Sequence, residues 1–128
     1  MQPQLFYYQS TKQLNYMWGD QPWDNDRAAD WYGTMMKKTG LAAHVRKTLS
    51  EELHKDSADV LRAAAFCLVQ FGRIYIWPTE ELKDDLKLGI AALKQVLEDD
   101  EYCYSMEITV DVRAELAQLE ERLNTYIW

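Results

Sequence analysis

Three aspartates lie close together early in the chain, Asp24, Asp26 and Asp30. Carboxylates grouped in this way can do general acid-base work or hold a hard divalent cation. Asp26 and Asp30 stand four residues apart, so on a helix they share one face. A calcium loop counted from Asp24 would need glycine at its sixth position and glutamate at its twelfth, where Ala29 and Met35 stand, and this excludes calcium of that type. The simpler chemistry is local: Asp24-Asn25-Asp26 supplies short polar acceptors directly before Arg27-Ala28-Ala29-Asp30-Trp31, as the start of a helix requires. We therefore expect a cap and no catalytic or metal role for these residues.

The other chemistry-bearing residues are sparse. His44 and His54, ten residues apart on one predicted helix, would sit about 80° and about 15 Å apart and cannot share a metal. The serines lack a G-x-S-x-G elbow, and the five glycines stand singly, which removes dinucleotide and phosphate-cradling loops. Cys67 lies among Ala, Phe and Leu as a small core residue, and Cys103, in a polar stretch, is the more reactive thiol of the two. No cofactor, metal or catalytic residue is assigned. Two acidic groups remain. Glu80, Glu81, Asp84 and Asp85 are interleaved with Lys83 and Lys87, the pattern of a solvated helix face; Glu98, Asp99, Asp100 and Glu101 form a solvated loop.

The elements that must position these residues are helical. The first predicted helix runs from the Asp24-Asn25-Asp26 cap to Gly40. Leu41, Val45, Leu49 and Leu53 make the apolar stripe of a second helix from about Leu41 to His54. A third, capped by Asp56 or Ser57, reaches Phe71, and its apolar centre at 63–69 predicts a central, enclosed helix. Ile74 to Pro78 reads as an extended connector, because the residue before proline is pushed out of the helical region. Thr79 is the expected cap of a fourth helix striped by Leu82, Leu86, Ile90, Leu93 and Leu97. The last helix is expected from Thr109 or Asp111, with Val112, Leu116, Leu119 and Leu123 as a bundle seam.

These elements predict a mainly α fold, a compact bundle of four to five helices with an aromatic N-terminal arm. The 128 residues, 48% hydrophobic and 27% charged, suit a single core. The longest apolar run, Ala63 to Val69, is far short of the roughly 20 residues a membrane span needs. The start shows no secretory signal and the two cysteines make no disulfide framework, so a reducing cytoplasm is the expected compartment. Residues 1–50 carry six Lys/Arg against four Asp/Glu, and residues 51–128 carry eight against seventeen. That acidity repels nucleic acid and anionic lipid and admits a basic protein as partner.

Eight of the sixteen aromatic residues fall in the first 32 positions. Within them, Trp18-Gly19, three residues, Trp23 and Asp24-Asn25-Asp26, followed by Ala28-Ala29-Asp30, resemble the opening signature of a family of bacterial domains of unknown function, family 4259. Weaker likeness continues to about residue 125. Family members tend to begin just before Trp-Gly and commonly carry Phe where Trp23 stands. The resemblance thus implies a domain over 17–128 and an N-terminal extension over 1–16, or a biological start at Met17. It carries no activity over to these residues. Gly19 permits a turn that brings Trp18 close, and Trp23 can pack on the first helical turn.

Two functional classes follow. One is an interaction protein, such as a small immunity or inhibitor protein, that engages a basic partner through Glu80, Glu81, Asp84, Asp85 and Glu98 to Glu101 and not through the tryptophan motif. The alternative is an enzyme or metal-binding protein built on Asp24, Asp26 and Asp30, with walls from Trp18, Trp23 and Trp31.

Overall fold

The computed structural model describes residues 17–51 and 57–128. Over them the chain is all-α: α1 (Asp26–Thr39), α2 (Leu41–Glu51), α3 (Ala58–Phe71), α4 (Thr79–Leu97) and α5 (Met106–Thr125). Leu53, His54, the alternative cap Asp56 and the arm over 1–16 lie outside the described residues. Among the described residues no helix is long and apolar enough to cross a membrane.

Local chemistry sets most boundaries. Asn25 is extended and its side chain accepts from the Ala28 amide at 2.9 Å, so it caps α1. Gly40, at φ 65, closes α1 in the left-handed conformation and donates to the Met36 carbonyl. Ser57 precedes α3 as expected, but its hydroxyl donates to the Asp59 carboxylate and makes no side-chain cap bond. Two expected boundaries move. The residue before α4 is Pro78, with Thr79 already helical. The last helix begins at Met106, several residues earlier than expected, because the Ser105 hydroxyl accepts from the Ile108 amide at 3.2 Å and caps it.

The central helix is α4, which packs against α2, α3 and α5. It buries Leu82, Leu86, Gly89, Ile90, Ala92, Leu93 and Val96, and burying each large aliphatic side chain is worth roughly 1.5–3 kcal/mol. A side chain at Gly89 would meet Leu68 Cδ1 at 2.8 Å and Leu119 Cδ1 at 3.0 Å, so the missing side chain is what lets α3 and α5 close on α4. Helix α3 is not enclosed: Ala63 and Phe66 are exposed on its outer face, while Leu61, Ala65, Leu68 and Val69 enter the core. Helix α1 buries only Met36 and packs on α2, which leaves it at the rim of the bundle.

Candidate functional site

The Trp-Gly to Asp-Asn-Asp segment folds into a closed loop. The Trp18 amide donates to the Asp24 carbonyl at 2.8 Å, the Asp24 amide to the Gln21 carbonyl at 3.0 Å, and the Gln21 amide to Asp24 Oδ2 at 2.9 Å. A side chain at Gly19 would lie 2.2 Å from that same oxygen, so only glycine lets the Asp24 carboxylate tuck beneath the loop. Met17 and Asn25 pair across its mouth as an isolated antiparallel bridge.

This loop clamps the turn between α3 and α4. The Arg73 guanidinium lies 4.7 Å above the Trp23 ring, and Trp18 sits 5.1 Å from Tyr75, tilted by 46°. The segment expected to be extended is a tight turn instead: the amides of Ile76 and Trp77 both donate to the Arg73 carbonyl, and Tyr75 takes φ 73. The proline restriction acts only on Trp77, leaving the three residues before it free to turn. A tyrosine in the left-handed region carries strain of about 1–2 kcal/mol, and such strain concentrates at binding sites.

The clamp sets α1 beside the start of α4 and opens a groove of about 500 Å³ between them. Asp30 and Gly33 of α1 line it, together with Tyr75, Trp77 and Pro78 of the turn and Glu80 of α4. Lys37 brings a cation to its wall. Asp30 and Glu80 are exposed, as are Glu81 and Asp84 on the adjoining turn of α4. Glu81 also receives Arg46 at 3.2 Å.

Asp85 is not part of that surface, contrary to the solvated face expected for it. It is 1% exposed. Arg46 grips it in a fork, Nε to Oδ1 and Nη2 to Oδ2 both at 2.8 Å, and Trp77 Nε1 donates to Oδ2 at 2.8 Å. The Asp85 hydrogen bond holds the Arg46 guanidinium above its ordinary value, against the opposing effect of burial. A second fork joins Arg62 of α3 to Glu115 of α5 at 3.0 and 2.6 Å, with the Tyr102 hydroxyl accepting from Nη1 at 3.1 Å. Glu115 raises the Arg62 guanidinium in the same way. These pairs tie α2 to α4 and α3 to α5.

The remaining expected sites are dispersed. Glu98, Asp100 and Glu101 are exposed, whereas Asp99 is half-buried and accepts from the Tyr102 amide at 3.0 Å, which shapes the α4–α5 loop. That loop lies at the far end of α4, ~27 Å from Glu80 along the axis, so the two acidic groups do not form one site. The three aspartates do not converge either: Asp24 is committed to its loop, and Asp26 and Asp30 are exposed on α1. Among the described residues no group of three His, Cys, Asp or Glu is placed to hold a metal ion. Trp31, 63% exposed, packs edge-on against Tyr32 and lines no part of the groove.

Arg46, Arg62, Glu115 and Arg122 escaped sequence reasoning, although a signal was present. Asp85 falls three residues after Leu82 and four before Gly89, and Glu115 and Arg122 fall on the buried phase of Val112 and Leu119. Comparison with protein-family models, with curated proteins and with solved structures returned no match to this chain.

Proposed function

We propose that the chain is a non-enzymatic interaction module that receives a lysine- or arginine-bearing segment of a basic protein partner, in the groove between α1 and the start of α4. Membership of family 4259, which residues 18–30 resemble, is part of the same proposal. The observation that carries the function is the convergence of Asp30 and Glu80 on one groove with an aromatic wall. Carboxylates attract a cationic head, while Tyr75, Trp77 and Pro78 offer apolar surface to the stem of a Lys or Arg side chain. The exposed Asp84 and the acidity of residues 51–128 extend the field that would steer such a partner. The partner face therefore takes one acid from the tryptophan-motif segment and the others from α4. An immunity or inhibitor protein directed at a basic target is one form this activity takes.

The test is titration of the whole chain with a short Lys/Arg-rich peptide and with its Glu-substituted counterpart, each at two salt concentrations. Binding of the basic peptide alone, weakening with salt and weakened about tenfold in D30N/E80Q, is expected from two partly exposed charges. Equal binding of both peptides, or an unchanged affinity in the double variant, would overturn it.

A further inference from the structure

A second polar pocket, of about 220 Å³, lies at the other end of the clamped turn, where α3 ends against the last turns of α5. Arg73, Gln118, Glu121, Arg122, Thr125 and Tyr126 line it. Its two guanidiniums stand close enough that, after burial, the charge of Arg73 is the next largest influence pushing Arg122 below its ordinary value. Among the described residues neither arginine forms an ion pair with a carboxylate.

The two cations are committed differently. Arg122, 7% exposed, donates from Nη1 to the Leu68 and Gly72 carbonyls at 2.8 and 3.3 Å. From Nη2 it donates to the Val69 carbonyl at 2.8 Å and to Gln118 Oε1 at 3.4 Å. It caps the negative end of α3, which offsets part of its charge, about half a unit. The Arg73 guanidinium lies over the Trp23 ring, and among the described residues its Nε is buried without a hydrogen-bond partner. A buried donor left unpaired is unfavourable, and it leaves this guanidinium short of acceptors. Glu121 is exposed on the lining and, among the described residues, forms no ion pair. Its charge, the smallest of the influences on Arg122, raises that group and so offsets part of the Arg73 repulsion, and it opposes an incoming anion.

We propose that Arg73 and Arg122 form an anion site for a phosphate group carried on a small molecule. A guanidinium presents a planar fork of donors suited to phosphate oxygens, and a second fixed positive charge favours a dianion. The volume equals that of about seven waters, which admits a phosphate with a short organic stem. Thr125 and Tyr126 bring hydroxyls that can donate to the remaining oxygens. This site is independent of the acidic groove, which would repel the same ligand.

The experiment is titration of the full chain with inorganic phosphate, followed by amide and arginine side-chain NMR, with chloride at matched ionic strength as control. Saturable shifts at Arg73, Arg122, Thr125 and Tyr126 are expected with phosphate and not with chloride. R73Q should weaken binding by roughly tenfold or more, the scale of a lost charge-assisted hydrogen bond. E121Q, an exposed change that leaves the fold intact, should tighten it several-fold, and E80Q should leave it unchanged. Absence of a saturable phosphate response, or an affinity that E121Q leaves unchanged, overturns the assignment even where R73Q fails to fold.

Discussion

Removing Arg46 should expose how much the bundle depends on one buried carboxylate. Asp85 is 1% exposed and accepts three hydrogen bonds, two from Arg46 and one from Trp77. In Arg46→Ala it keeps only the indole, so a charge is left in the core with most of its compensation gone. Stripping one partner from a fully buried pair typically costs about 3–5 kcal/mol. The Arg46 side chain is 31% exposed, so water can reach the vacated space, and the expected cost falls to about 2–4 kcal/mol. For a chain of this size that is a drop of roughly 6–15 °C in Tm. Removing both partners, in Arg46→Ala/Asp85→Ala, should cost less than the sum of the single changes by about 1–3 kcal/mol. Urea unfolding followed by far-ultraviolet circular dichroism gives all the free energies, and the buried Trp77 provides a fluorescence signal on the same site. A cost below about 1 kcal/mol for Arg46→Ala with additive singles would mean the fork is only a surface ion pair.

Other expectations test separate parts of the fold. Asn25→Ala removes the acceptor that holds the Ala28 amide and should lower stability by about 1 kcal/mol, measured in the same urea assay, while Asn25→Asp should preserve it. Arg122→Leu leaves the Leu68 and Val69 carbonyls without their side-chain donor and should cost about 2–3 kcal/mol; a neutral result would show that these carbonyls reach water. Burial pushes the Cys67 thiol above its ordinary value, so less thiolate is present at neutral pH. Its alkylation by iodoacetamide should lag behind an exposed thiol at neutral pH and accelerate as pH rises through and beyond the usual thiol range, and a rate equal to that of an exposed thiol would contradict this.

Helices were legible wherever the signal was local. Asn25 and Gly40 bracket α1 because a side-chain acceptor and a left-handed glycine act within a turn of where they stand. The stripe of α4, and that of α2 as far as Leu49, were legible because the period of apolar residues is itself the cause of burial. The start of α5 was missed because Met106, the first helical residue, is 76% exposed and Val110 is exposed too, which blurs the phase that Ile108 and Val112 share. Asp85 was misplaced because Lys83 and Lys87 beside it suggest a wet face, whereas its burial is decided by Arg46, 39 residues away in sequence. The groove itself could not be read, since Asp30 and Glu80 come to line one cavity only through the fold, with Trp18 and Trp23 against the turn at Tyr75 and Arg73. Pairings of that range leave no periodic trace in the chain.

In the proposed function Asp30 and Glu80 act together as one receptor for positive charge. The direct measurement is the affinity of the basic peptide for wild type, D30N, E80Q and D30N/E80Q at low and high salt. A loss of several-fold is expected in each single variant, about tenfold in the double, with a shallower salt dependence as each carboxylate is removed. An affinity indifferent to both substitutions and to salt would contradict it.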